Sequence, residues 1–444
     1  MRFVPDLTRF PDGVALQPES PDYDAVRRPV HAAYQDVRPR LIVRCRSVDD
    51  VVAGLAYAAA SGDSVAVRGG GHCFAGRSST DGVLLDLARL DGITVTSDGL
   101  ATIGAGARLA HVYATLHAYG RTLPAGCGPT VGITGLTLGG GLGLLGRKHG
   151  LTCDRLVGAQ VVLADGTVVD CDQAHEPDLF WALRGAGGGQ FGVVTALRFE
   201  TVPEPATTRV EAHWSGDGIG DVVVAWQTWA PDAPDDLTVN LTVDAQRATL
   251  FGAATLDEQT TRELLQEFTK YAGVATTVEL LPDLPYHRLK QTFTEPEAGD
   301  GNNRPDRMRS EFFARALSDG VLTSLLANLA SPLASLGEPG AGGRRRLSFT
   351  AMGGAYNRIA ENATAFAHRG TRFLLEHIGE ATDPWVDRSR AIAHEDGTGR
   401  VYPNFPDPAL DDWATAYHGS NYARLAAVKK AYDPHRFFDF PQAI

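Results

Sequence analysis

Three observations predict an α+β fold built in two parts. Residues 41–68 read as strand, helix, strand, the pattern of a parallel βαβ unit. The dipeptides Asp98-Gly99 and Asp165-Gly166 each join two strand-like stretches, and Asp-Gly supplies the left-handed turn pair of a tight hairpin. After Val202-Pro203-Glu204-Pro205, which reads as a linker, strand-like and helical stretches alternate as in an antiparallel sheet carrying helices. A chain of 444 residues is long enough for two domains with cores of their own.

In chain order, Ala25 to Tyr34 has helical spacing, and Leu41 to Cys45 is a short buried strand. Ser47 caps the next helix, with Asp50 at the third position, and Gly62 ends it. The strand Ser64 to Arg68 runs straight into Gly69-Gly70-Gly71-His72-Cys73. Val83 to Leu87, Ile93 to Val95 and Ala101 to Gly106 are strands, and Leu109 to Ala118 is helical. Val157 to Leu163 and Thr167 to Asp170 form the second hairpin, followed by a short helix from Pro177 to Arg184 and a strand from Phe191 to Glu200. In the second part, Leu237 to Val243, Ala248 to Ala253 and Leu347 to Gly353 read as strands, with helices over Asp257 to Tyr271 and Gly320 to Ala330. Gly337 to Arg346 reads as a solvated loop, with Arg344-Arg345-Arg346 as charged surface. The tail from Tyr422 is a helix followed by an aromatic-rich segment that needs burial.

Composition removes several classes of function. Hydrophobic residues make up 43% and charged residues 21%, as in ordinary globular proteins. A net charge of −12 argues against nucleic acid or an anionic membrane as the main partner. No stretch approaches the roughly 18 apolar residues of a membrane span, and no apolar leader is visible, so a cytoplasmic protein is expected. The 5 cysteines, Cys45, Cys73, Cys127, Cys153 and Cys171, have no short-spaced pairs, so neither a zinc site nor a disulfide framework is expected. Oligomeric state cannot be read from the sequence.

The chemistry concentrates in two glycine-rich segments. One is Val67-Arg68-Gly69-Gly70-Gly71-His72. The other runs from Pro124 through Gly126-Cys127-Gly128-Pro129-Thr130-Val131-Gly132 to Gly139-Gly140-Gly141-Leu142-Gly143. Glycine lets bare backbone N–H groups approach a ligand, and successive N–H groups form a nest for a pyrophosphate. A nucleophilic imidazole beside such a nest points to a nucleotide cofactor held by a covalent bond. The pattern lacks a Rossmann fingerprint and a Walker A lysine.

These segments, with Leu151-Thr152-Cys153-Asp154, Asp178 to Gly185, Phe191-Gly192-Val193-Val194-Thr195, Thr364 to Arg369, Val401-Tyr402-Pro403-Asn404-Phe405 and Asn421 to Gln442, resemble one family. It is the FAD-linked oxidases of the vanillyl-alcohol-oxidase (PCMH-type) superfamily, berberine-bridge-enzyme-like branch, and the resemblance covers most of the chain. It implies a two-part FAD-binding domain, residues 1–200 plus a returning segment 400–444, and an antiparallel-sheet substrate domain, residues 201–399. His72 is implied as the covalent attachment point. Around the pyrophosphate it implies Gly69, Gly70, Gly71, Gly76 and Arg77. Along the ring system and phosphates it implies Gly132, Gly135, Gly140, Gly141 and Gly143, and nearer the adenosine Asp154 and Val194. Arg68, Cys73, Ser78, Gly128, Thr130, Val131, Leu136 and Gly192 are implied as further cofactor contacts.

Doubly linked relatives carry a cysteine directly before Pro-Thr-Val-Gly. Here Gly128 stands there, Cys127 lies one residue earlier, and Leu136 replaces a histidine frequent in such members. A one-residue shift turns a side chain to the opposite face of an extended segment, so single attachment through His72 is expected, with Cys127 as the alternative. Val131 implies room for O2. Tyr402 and Asn404 match the family's Tyr-x-Asn motif at the flavin, with the phenol as candidate base. Tyr286, His287, Tyr356, His368 and Arg369 are candidate substrate contacts.

The expected reaction is hydride transfer from a small organic substrate, an alcohol or a secondary-metabolite C–OH or C–H group, to FAD, with O2 giving H2O2. A carbohydrate oxidase and a flavin-dependent tailoring monooxygenase of the same fold stay open. A non-catalytic nucleotide-binding protein is the reading of another class, and His72 and Tyr402 count against it. No resident metal is expected.

Overall fold

A computed structural model describes residues 7, 10–293, 306–331 and 345–444. Among the described residues the chain forms a mixed α/β fold with four sheets, of four, five, two and seven strands.

The first sheet orders its strands Ala15–Leu16, Leu41–Arg44, Val83–Asp86, Val65–Arg68. The two strands of the predicted βαβ unit are therefore not neighbours. Val83–Asp86 lies between them, parallel to both. The connecting helix Val48–Ser61 starts at a capping box in which Asp50 N donates to Ser47 Oγ and Ser47 N donates to Asp50 Oδ2. Gly62 closes it in the left-handed region, at φ 69°.

The helix expected over Ala25 to Tyr34 is broken. It runs only over Tyr23–Arg27, Arg28 is extended, and a 3-10 turn follows at Ala32–Tyr34. Pro29 is the cause, because the residue before a proline is driven out of the helical region.

The second sheet is antiparallel, in the order Ile93–Val95, Leu100–Gly104, Val193–Glu200, Leu156–Val162, Val168–Cys171, and both Asp-Gly hairpins lie in it. The segment read as a linker is stitched down, since Val202–Pro203 pairs with Arg121–Thr122.

The largest sheet has seven antiparallel strands in the order Val278–Pro285, Ala206–Ser215, Arg247–Ala254, Leu237–Val243, Arg346–Ala351, Phe373–Glu380, Asp306–Phe313. Its side chains alternate with period two. Leu237, Val239 and Leu241, with Leu347, Phe349, Phe373 and Leu375, join a core with the helices Ile219–Trp229, Glu258–Ala272, Asp319–Leu329 and Trp385–Ala393. Thr238, Asn240, Thr242, Ser348, Thr350 and Glu376 line a cleft on the other face.

Buried polar contacts fix the seam between this sheet and the rest. Arg147, 1% exposed, donates to the carbonyls of Ala230, Pro231, Ala233 and Met352. Asp154 and Arg369 pair through two bonds of 2.6 and 2.9 Å. The C-terminal helix Tyr422–Tyr432 is anchored by Lys429, whose ammonium is buried against Gln190 O, Asp433 Oδ2 and Phe438 O.

Of the expected arginine run, Arg344 lies outside the described residues. Arg345 is 6% exposed and forked onto Asp383, and Arg346 begins a strand, so neither is solvated surface. Among the described residues no helix is long and apolar enough to cross a membrane.

Candidate active site

The two glycine segments meet face to face. A Cβ on Gly70 would come 2.2 Å from Gly132 N, and one on Gly132 would come 2.4 Å from Gly70 N. Only paired glycines permit this approach, and it brings the loop after Val65–Arg68 against the start of the helix Ile133–Leu138. The contact opens onto a cleft of about 2150 Å³ that continues to the polar face of the seven-stranded sheet. A pocket for one drug-sized ligand is about 300–1,000 Å³, so this cleft has room for a dinucleotide and a substrate together.

Most of the predicted positions share this cleft. Gly69, Gly70, Gly71, His72, Cys73, Arg77, Ser78, Cys127, Gly128, Thr130, Val131, Gly132, Gly135, Leu136, Gly143, Gly192, Val194, Tyr402 and Asn404 all line it. Five buried polar atoms of its lining residues have no partner among the described residues: Arg77 Nε, Ser78 Oγ and Thr134 Oγ1, and, on the large sheet, Arg209 Nε and Arg346 Nε. Burying such groups unpaired is costly, so unpaired donors on the wall fit an anionic dinucleotide.

Five predicted positions are used elsewhere, Gly141 among them through its amide bond to the Tyr402 phenol. Arg68 is a strut, donating to Val26 O, Arg27 O and Ser78 O. Gly76 lies against the Tyr34 ring, where a Cβ would come 2.5 Å from it. Asp154 is committed to Arg369 and caps Leu151 N. Gly140 has φ 121°, and its hydrogen side faces Phe366.

His72 Nε2 lies 2.9 Å from Thr130 Oγ1, which joins the two segments through a side chain. Burial, helped by the nearby His31 and Arg108 charges, pushes the imidazole down to about 4, so it is neutral and nucleophilic at neutral pH.

Cys127 lines the cleft, and Lys290 Nζ donates to its sulfur at 3.3 Å. The same ammonium donates to Ala125 O and Gly126 O, and burial lowers its proton affinity. The one-residue shift has therefore not removed Cys127 from the cleft wall.

Tyr402 is 3% exposed, and its phenol oxygen accepts three N–H groups. They come from Gly141 N at 3.0 Å, Leu142 N at 3.2 Å and Asn404 Nδ2 at 2.9 Å. Gly141, at φ 90°, turns its amide toward the phenol. Burial nevertheless outweighs these donors and pushes the phenol up to about 12, which makes it a poor base at neutral pH.

A carboxyl group also faces the cleft, from the sheet. Glu376, flanked across the strands by Ser348, is pushed up to about 7 by burial, with Arg346 opposing. Sequence reasoning missed Glu376 and Arg346 because an acidic residue in an apolar strand reads as a solvated edge. The usable signal was the period-two pattern of the strand, which places Glu376 and Ile378 on the cleft face.

Of the five candidate substrate contacts, only Tyr356 lines the cleft, its phenol donating to Gly143 O at 2.8 Å. Arg369 is in the seam, His368 is buried against Phe312, Tyr286 is fully buried, and His287 bonds Glu204.

Two family models match the chain: "FAD binding domain" over residues 39–172 and "Berberine and berberine like" over residues 401–444. The FAD-linked oxidoreductase YgaK of Bacillus subtilis is 33% identical, over 96% of this chain and 95% of its own. A chitooligosaccharide oxidase of Gibberella zeae is 31% identical, over 91% of this chain and 87% of its own. Among solved structures, a glucooligosaccharide oxidase from Acremonium strictum, described as carrying a 6-S-cysteinyl, 8α-N1-histidyl FAD, superposes with a TM-score of 0.87. It is 25% identical, with 97% of this chain and 96% of that one covered. The protein thus belongs to the FAD-linked oxidoreductases of the berberine-bridge-enzyme-like family.

Proposed function

We propose that the protein is an FAD-dependent oxidase that oxidises a hydroxyl-bearing carbon of a carbohydrate and passes the electrons to O2, giving H2O2. The observation that carries this reading is the cleft face of the large sheet. Thr238, Asn240, Thr242, Thr249, Ser348 and Thr350 present hydroxyl and amide groups there, beside Arg346 and Glu376. Such a face offers paired donors and acceptors to a polyhydroxylated ligand. The chitooligosaccharide and glucooligosaccharide oxidases among the relatives support the same reading. It reverses the order expected from sequence, where a secondary metabolite came first.

The residues of the cleft fit FAD. His72 and, on the opposing segment, Cys127 would hold it covalently. The amides of Gly69 to Gly71 with Arg77, Ser78 and Thr134 would hold its phosphates. When bound, FAD supplies the acceptor for a hydride from the substrate carbon.

Glu376, ionised, takes the substrate hydroxyl proton as that carbon is oxidised. Arg346 holds the carboxylate's charge in check. Tyr402, saturated by three donors, orients the reacting hydroxyl rather than taking its proton. Asn404 positions it, since Asn404 Nδ2 also donates to Leu136 O at 2.8 Å.

The phenyl rings of Phe74, Phe251, Phe293 and Phe405 also line the cleft and favour a second reading, an aromatic hydroxylated metabolite as substrate. Peroxide release with a panel of oligosaccharides and aromatic alcohols tests both. Turnover of oligosaccharides supports the first reading, and turnover confined to aromatic alcohols replaces it with the second. Incorporation of labelled oxygen from O2 into product would instead indicate a monooxygenase.

A further inference from the structure

On the seam, away from the cleft, three side chains from three stretches of chain converge. His117 ends the helix Leu109–His117. Glu204 lies just before the strand Ala206–Ser215. His287 is in the first turn of the helix Tyr286–Thr292. Glu204 Oε2 is 2.5 Å from His117 Nδ1, and Glu204 Oε1 is 3.2 Å from His287 Nδ1. The two imidazoles stack with centroids 3.5 Å apart and an interplanar angle of 28°. One ligand atom from each residue can be chosen so that all three lie within 4.8 Å of one another.

We infer that His117, Glu204 and His287 form a binding site for one divalent transition ion of the zinc class, joining the two halves of the molecule. The donor set is two imidazole nitrogens and one carboxylate oxygen, which suits zinc, nickel or copper rather than calcium or magnesium. With bonds of about 2.0–2.2 Å, tetrahedral donors stand about 3.3 Å apart. His287 Nδ1 bonds Oε1, so the ion, on Oε2, has to take the place of the hydrogen bond from His117. Two imidazoles on one tetrahedral ion stand about 5 Å apart at their centroids, so the His117 ring has to swing off the His287 ring, and its side chain, at 42% exposed, has the freedom to do so.

The other two ligands are held. The side chains of Glu204 and His287 are 6% and 9% exposed. Glu204 Oε1 also accepts the backbone N–H of His287 at 2.8 Å, which would orient the carboxylate while Oε2 binds the ion. No proton need be lost from a neutral imidazole, because each has only to carry its proton on Nε2 instead of Nδ1. No lysine or arginine pairs with Glu204 among the described residues, so its charge is met only by these two rings.

The ion would also fix the helix that carries Lys290, one turn on from His287, whose ammonium reaches the cleft wall at Ala125, Gly126 and Cys127. Cysteine spacing had argued against zinc, but this site uses no cysteine, and its ligands are too far apart in sequence to be read as a motif.

The test is calorimetric titration of the chelator-stripped holoenzyme with zinc chloride, with thermal unfolding followed in parallel. The expected result is one ion bound per chain, a rise in the unfolding temperature at saturation, and a loss of affinity of about tenfold or more in His117→Ala and in Glu204→Gln. His117→Ala alters an exposed side chain, so the folded protein remains available for the measurement. No saturable binding by the parent protein overturns the inference. So does binding that His117→Ala and Glu204→Gln leave unchanged, since the ion would then sit elsewhere.

Discussion

Replacing Glu376 by glutamine separates the two carboxyl states while keeping its size. The parent carboxyl ionises near pH 7, so it is ionised to ~10% at pH 6, ~50% at pH 7 and ~90% at pH 8. A general base of this kind contributes about 10²–10⁴-fold to rate. The parent rate is therefore expected to rise several-fold between pH 6 and 8. Glu376→Gln should fall by at least about 10²-fold and lose that pH dependence.

A second consequence has the opposite sign. The folded-state value, about 7, lies above the ordinary 4.5, so the folded state holds the proton over a range in which the unfolded chain has lost it. Stability is then fully present below 4.5 and declines as pH rises toward 7. A shift from 4.5 to about 7 corresponds to ~3 kcal/mol at most. Glu376→Gln should thus be both the more stable and the slower protein above pH 7. The assay is anaerobic stopped-flow reduction with the best substrate of the peroxide screen, paired with urea unfolding at pH 5 and pH 8. A variant within threefold of the parent rate, with the limb near pH 7 intact, would refute the assignment of the base.

Three further outcomes are expected. His72→Ala should keep flavin on the Cys127 peptide after acid precipitation, and the double variant with Cys127→Ala should release it to the supernatant. Flavin freed by the single variant alone would show that Cys127 makes no bond. Asp154→Ala leaves Arg369, 2% exposed, charged and unpaired in the seam, and should cost about 3–5 kcal/mol in urea unfolding. A loss under about 1 kcal/mol would mean that the pair does not secure the seam. Tyr402→Phe strips the acceptor from Gly141 N, Leu142 N and Asn404 Nδ2, at about 1–3 kcal/mol of stability, and should lower kcat while leaving the limb near pH 7 in place. Movement of that limb would assign it to the phenol instead.

Features decided over a few residues were legible in the sequence. The Ser47 cap, the Gly62 stop and both Asp-Gly hairpins follow from short-range hydrogen bonding and allowed φ, and they lie where sequence reasoning placed them. The helix broken at Pro29 was a local rule overlooked rather than a tertiary effect. The cofactor loops were legible because glycine at close approach leaves a mark in composition. Gly70 and Gly132 carry that mark although 62 positions separate them.

Partner choice was not legible. Val83–Asp86 slips between the two strands of the βαβ unit, and nothing in the strands themselves fixes that order. Asp154 and Arg68 carry the same charges whether they meet a cofactor or the protein. Only the folded chain commits one to Arg369 and the other to backbone carbonyls. Glu376 is the plainest case. Its identity is written in the sequence, but its proton affinity comes from burial against residues of other strands. By itself, the sequence determined the family, the nucleotide-binding loops and the local turns, because these depend on neighbours along the chain and on residue type. The tertiary structure alone decided the proton affinity of Glu376, the polar face of the cleft and the pairing across the seam, because desolvation and Coulomb energy depend on neighbours in space.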